Sequence, residues 1–179
     1  MSDIKNFYQN YFQLFEAINL CVKEKHVLPS LCLIYSGIDT IAWVAYGDIA
    51  VKDRFVRFVE NHMYQEKRLD PSPIDLYSAR CAVLHTMTPD SDLSNKNRAV
   101  PLAYAWGNAN VDELKKSVAT LKSPKMSCVH LNHLVESFRL GIANFVEGNG
   151  HDLECVNRMK KHYAHLNTET ISLFNEINA

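Results

Sequence analysis

Between Ile4 and Lys25 the apolar residues Ile4, Tyr8, Tyr11, Phe15, Ile18 and Val22 recur at spacings that alternate between four and three. That period places them on one stripe and predicts an amphipathic helix over 4–25. Phe7, Phe12 and Leu14 widen the stripe, whose default use is core or a dimer seam. A second helix is predicted from Pro29-Ser30, where proline suits a first turn, to Tyr46. It is apolar almost all round, which marks it as the most buried rod of a bundle, and Gly47-Asp48 ends it. Asp39 is its only charge, and a carboxylate there needs a cation or donors. A third helix spans 51–64, with Phe55, Phe58, Val59 and Met63 on one side and Asp53, Arg54, Arg57 and Glu60 on the other. Asp70-Pro71-Ser72-Pro73 is a turn, and Ser72 with Asp75 forms an N-cap pattern for a helix over 74–87, stopped at Thr88-Pro89.

Residues 89–99 are polar and read as loop. Leu102-Ala103-Tyr104-Ala105-Trp106 alternates large and small, which predicts a short strand or extended arm, with Pro101 favouring an edge. Asn110 and Glu113 cap a helix to Leu121, and Ser123-Pro124 breaks the chain. A long helix over 127–147 carries Leu131, Leu134, Val135, Phe138, Ile142, Phe145 and Val146, and ends at Gly148-Asn149-Gly150. A last, more polar helix over 152–177 carries Leu153, Val156, Met159, Tyr163, Leu166, Ile171 and Phe174. The sum is an all-α, up-and-down helical bundle. It forms one domain over 1–179, with a short extended insertion near 99–107.

Composition narrows the class. The 179 residues are 47% apolar and 22% charged, with six Gly and six Pro, so the chain is globular rather than disordered. No stretch reaches an unbroken apolar run of about 18–20 residues, and Met1–Asn6 lacks the charged-then-apolar plan of a leader. The expectation is a cytoplasmic protein with no membrane association. A net charge of −1 argues against a broad nucleic-acid footprint but leaves room for a local one. Cys21, Cys32, Cys81, Cys128 and Cys155 are odd in number and scattered, the profile of a reducing compartment. All five read as mainly small buried hydrophobes.

The candidate chemistry lies on the helix over 74–87, where Arg80 and His85 interrupt an otherwise apolar, small-residue sequence. In a regular α-helix residues five apart are turned by about 140°. Arginine is long enough to bend around the axis, and His85 sits in the last turn, where a helix can loosen. The two can therefore meet at one end of the bundle. Arg80-Cys81-Ala82-Val83-Leu84-His85, on an apolar helix beside another that carries a lone Asp39, resembles the Arg-x4-6-His motif of the HEPN superfamily. The bundle context agrees over most of the chain. The resemblance implies a small all-α domain acting as a homodimer, with both copies of the motif lining one cleft. It also implies metal-independent cleavage of RNA, in a toxin–antitoxin or defence setting. A cognate antitoxin or a nucleotidyltransferase is the implied partner. No cofactor and no bound metal are expected.

Those residue types suit that chemistry. Cleavage without a metal uses the ribose 2′-hydroxyl as nucleophile and leaves a 2′,3′-cyclic phosphate. It needs a proton carrier near neutrality, which His85 supplies, and a fixed cation on the phosphorane, which Arg80 supplies through parallel donors. Asp39 is assigned to orient one of them. Two other readings stay open. One is a non-catalytic HEPN-like RNA- or nucleotide-binding module, which Cys81 suits because family members commonly have a polar residue after the arginine. The other is a helical protein-interaction domain, with Arg80 and Asp39 an ordinary ion pair and His85 a helix-ending cation.

Remaining clusters carry weaker expectations. Cys128, His130 and His133, and separately His162 and His165, have spacings that can chelate a metal, but solvent-facing or interfacial histidines are the default. Arg158, Lys160, Lys161 and His162, with Arg139, form a basic patch whose default is a solvated face. Tyr104 and Trp106 can stack bases, although a packed arm is favoured.

Overall fold

The computed structural model describes residues 2–88, 91–121 and 125–164, without the side chains of 2–4, 6 and 162–164. Helix α1 (Ser2–Lys23) and helix α2 (Val27–Tyr46) are joined by a tight turn in which Lys25 takes φ 61. Helix α3 (Val51–Phe58) runs on without a break into a π-helical turn (Val59–Met63). Helix α4 (Pro73–Cys81) does the same, into a second π-helical turn (Ala82–Thr86). A short helix α5 (Asp92–Asn95) follows, then strand β1 (Leu102–Ala105), helix α6 (Val111–Ala119) and strand β2 (Ser127–His130). Helices α7 (Leu131–Asn149) and α8 (Leu153–Ala164) complete the order. The protein is helix-rich, as the periodicities predict.

Helix α2 is the hub. It packs against α1, α3, α7, α8 and the second π turn. Ile34, Tyr35, Ile38 and Ile41 are fully buried, which is what an all-round apolar sequence requires. Val27–Tyr46 is long and apolar enough to cross a membrane by length and composition, but half of that stretch is covered by the other helices. Phe55, Phe58, Leu76, Phe138 and Phe145 complete the centre. Gly37 lets the rods approach. A Cβ there would stand 2.7 Å from Phe138 Cζ and 2.8 Å from Leu14 Cδ2.

The structure departs from the sequence reading in three places. The α1 stripe is rotated: Phe7, Tyr11 and Ile18 are buried, while Tyr8 is 39% and Phe12 65% exposed. The segment 127–130, expected as the first turn of the long helix, is instead a strand paired in parallel with β1 (Leu102 with Ser127, Ala105 with His130). With α6 as the crossover this makes a small βαβ unit within an otherwise helical fold. Four residues are too few to separate strand from helix by period. Finally, the polar run 89–99 contains the four residues of α5, capped by Ser91.

The insertion 91–105 is tied to the bundle by buried and part-buried polar bonds. Ser72 and Asp75 form the capping box expected of them, and Asp75 also accepts from Val100 N through Oδ1 at 2.6 Å. Ser78 and Ser91 share a hydroxyl bond of 2.5 Å. Tyr104 and Tyr35 share another of 2.6 Å, and burial holds the Tyr35 phenol well above its ordinary value. Tyr104 is thus a packed arm residue, whereas Trp106 remains 47% exposed.

Candidate active site

The three candidate residues stand together. Arg80 lies in the last turn of α4, and its guanidinium donates from Nε to Asp39 Oδ2 at 2.7 Å and from Nη2 to the same oxygen. From the other side Nη1 lies 3.0 Å from His85 Nε2. Arg80 and Asp39 are 14% and 16% exposed, whereas His85 is open to solvent. The site is therefore a half-buried ion pair with an imidazole at its rim.

The backbone explains the contact. Ala82–Thr86 is a π turn, in which the main-chain bond runs from residue i to i+5 rather than i+4. Residues five apart, turned well away from each other in an α-helix, come nearly into line when the helix between them is widened. Arg80 therefore reaches His85 without wrapping round the axis. Thr86 Oγ1 donates to Ala82 O at 2.9 Å inside the turn, and Met87 ends it in the left-handed region at φ 52.

A guanidinium only donates, so His85 Nε2 is the acceptor in this contact. Burial alone works against the Arg80 charge, but the Asp39 carboxylate and its hydrogen bonds outweigh it and hold the guanidinium above its ordinary value. Asp39 Oδ1 is buried and has no hydrogen-bond partner among the described residues.

A cavity of about 470 Å³ opens beside His85. His85, Thr86, Cys81 and Tyr77 form one wall, Lys52 of α3 a second, and Ser91, Asp92, Leu93 and Arg98 of the insertion a third. The Tyr77 phenol is pushed up to about 12, first by burial and then by its hydrogen bond to Cys81. Sequence reasoning named Arg80, His85 and Asp39 but not Tyr77, Lys52, Leu93 or Arg98. Tyr77 is visible in retrospect, one turn before Arg80. The others come from distant segments that no local pattern connects.

The other clusters separate. Cys128 is buried, and its backbone N–H donates to Asp70. His130 uses both ring nitrogens, Nδ1 accepting from Asn132 N as the cap of α7 and Nε2 lying 3.3 Å from Gly107 O. Among the described residues no group of three or more His, Cys, Asp or Glu is placed to hold a metal ion. His162 and His165 lie outside the described side chains. In the expected basic patch, Arg158 is spent on the end of α2. Its Nε donates to Val44 O at 2.7 Å and its Nη2 to Ala45 O at 3.1 Å. Arg139 is paired with Glu136 and stacked over Phe15. Cys128 and Cys155 are buried as expected, while Cys21, Cys32 and Cys81 are partly exposed, and all five are free thiols.

Comparison with protein-family models, with curated proteins and with solved structures gives no match to this chain.

Proposed function

We propose that this chain is a metal-independent endoribonuclease of the HEPN type. It works in the cytoplasm as a homodimer, in a toxin or defence system with a cognate antitoxin or nucleotidyltransferase. The observation that carries the reading is the Arg80–His85 contact at 3.0 Å, at an open rim, with Asp39 fixing the arginine from behind.

The chemistry is a transesterification. Phosphate entering the rim takes the Arg80 Nη donors, whose planar fork matches two phosphate oxygens. That frees His85 Nε2, which accepts the proton of the ribose 2′-hydroxyl as its oxygen forms a bond to phosphorus. The bond from phosphorus to the 5′-oxygen breaks, and that oxygen takes a proton from the His85 of the second copy, which enters the step as the protonated imidazolium and leaves it neutral while the first His85 becomes protonated. The products are a 2′,3′-cyclic phosphate and a 5′-hydroxyl. Arg80 remains charged throughout and offsets the negative charge gathering on the phosphorane. Asp39 acts as a positioning residue for Arg80.

The test is cleavage of a mixed RNA pool by the purified protein in EDTA, with the ends mapped chemically. Wild type cuts and leaves cyclic phosphate ends, while Arg80→Ala and His85→Ala do not cut. Absence of cleavage by the wild-type dimer overturns the reading. A specific feature favours a second one, RNA or nucleotide binding without catalysis. Cys81 stands where resembling proteins commonly have a polar residue, its sulfur 3.9 Å from Arg80 Nη1. Binding of RNA that is lost on Arg80→Ala, with no cleavage by wild type, selects that reading.

A further inference from the structure

A cavity adjoins His85. It is formed by α3, α4 with its π turn, and the insertion, and its volume of about 470 Å³ lies in the range of small-molecule sites. Its lining is graded. Cys81, Leu93 and the Tyr77 ring, which packs against Phe55 at 5.6 Å, make an apolar floor and side. Two cations stand round it. Arg98 is exposed and has no side-chain hydrogen bond or ion pair among the described residues, and Lys52 has only its neighbour Asp53 at 3.8 Å. Among the described residues of the lining, Asp92 is the one acid. An apolar slot with an aromatic side, flanked by two cations and bordered by the His85 member of the arginine–histidine pair, fits a flat heterocycle carrying phosphates at both ends.

We infer that this cavity is a nucleoside subsite: it takes the base and ribose next to the phosphate held at Arg80 and His85, and Lys52 and Arg98 hold the flanking phosphate. The inference rests on the proposed ribonuclease reading for its orientation, but the slot binds a nucleotide whether or not cleavage follows. Lys52, Leu93 and Arg98 are binding residues in this scheme, distinct from the pair that does the chemistry.

The probe is adenosine 3′,5′-bisphosphate, titrated calorimetrically into the full-length protein, with inorganic phosphate and adenosine as separate controls. Wild type binds the bisphosphate more tightly than either control. Leu93→Trp, which fills the slot, weakens it by about tenfold or more while leaving phosphate binding unchanged. Lys52→Glu with Arg98→Glu weakens it by a similar factor. Both positions are exposed, so this variant keeps the test decisive even where Leu93→Trp lowers the melting temperature. Bisphosphate binding that is absent from wild type, or indifferent to both variants, overturns the inference. Nucleotide binding with no RNA cleavage defeats the ribonuclease reading and leaves the subsite standing. Cleavage without slot-dependent binding does the reverse.

Discussion

Arg80 Nη1 lies 3.0 Å from His85 Nε2, while two further donors of the same guanidinium share one oxygen of Asp39. The arginine thus joins a carboxylate from the central helix to an imidazole at the surface. Removing either end has different consequences, because one end is dry and the other wet.

Arg80→Ala leaves the Asp39 carboxylate half-buried without its cation, at a cost of about 1–3 kcal/mol. Asp39→Ala strands the guanidinium in the same way. The double variant should lose less than the sum, with a coupling of about 1–2 kcal/mol by urea unfolding. A coupling near zero would mean the pair contributes nothing to the fold. His85→Ala, at an exposed position, should change stability by about 0.5 kcal/mol or less. It should nevertheless lower RNA cleavage by about 100-fold or more.

His62 predicts an acid-side loss of stability. It lies in the first π turn with Nε2 3.1 Å from the Tyr46 hydroxyl, and burial lowers its pKa below the ordinary histidine value. The folded state therefore favours the neutral ring, and the unfolded state binds the proton first. Its contribution is complete above the unfolded value of about 6.5 and is lost as pH falls from there through the lowered folded value. The urea midpoint should fall over that window. His62→Phe should flatten the slope in part, and His133, also lowered first by burial, contributes to what remains. An unchanged slope in the variant would refute the assignment.

Gly141 predicts that the first π turn depends on a close approach by α7. A Cβ there would stand 2.6 Å from Met63 Cγ and 3.3 Å from Met63 Cα. The same contact zone satisfies the end of the turn, since Ser137 Oγ donates to Met63 O and Asn144 Nδ2 to His62 O. In an exposed helix Gly→Ala stabilises by about 1 kcal/mol. Here overpacking should reverse the sign, for a net loss of about 1–2 kcal/mol in thermal or urea unfolding.

Arg158 predicts a structural cation. Arg158→Met strips the donors from two carbonyls at the end of α2 and should cost about 1–3 kcal/mol. Lysine cannot reproduce two parallel bonds, so Arg158→Lys should recover little. Neither variant should alter the salt dependence of RNA binding, because a guanidinium spent on carbonyls neutralises no phosphate.

Much of the architecture is legible in the sequence because burial and period agree. The all-round apolar run of α2 becomes the hub, and Ser72-Pro73 with Asp75 starts α4 with the bonds a capping box requires. The Asp39–Arg80 pair is legible for the same reason, since each is a charge embedded in an apolar helix. What periodicity cannot carry is the π turn. Five-residue spacing looks unfavourable on an α-helix, and the widening that aligns Arg80 with His85 leaves no mark in a pattern of apolar positions. Tyr8 and Phe7 are interchangeable by character, so which of them faces inward is decided by the neighbours. The cavity draws on 52, 77, 93 and 98, which only the tertiary fold brings into register.

The hydroxyl bond between Ser78 and Ser91 and the carboxylate bond from Asp75 to Val100 clamp the insertion to α4 at both ends. The wall that carries Leu93 and Arg98 is therefore braced against the same rod that supplies Arg80. It cannot swing outward without breaking both bonds and exposing the buried side chains of Ser78 and Asp75. A guest entering the slot meets a shape already set, so the entropy lost on docking falls on the guest rather than on the host.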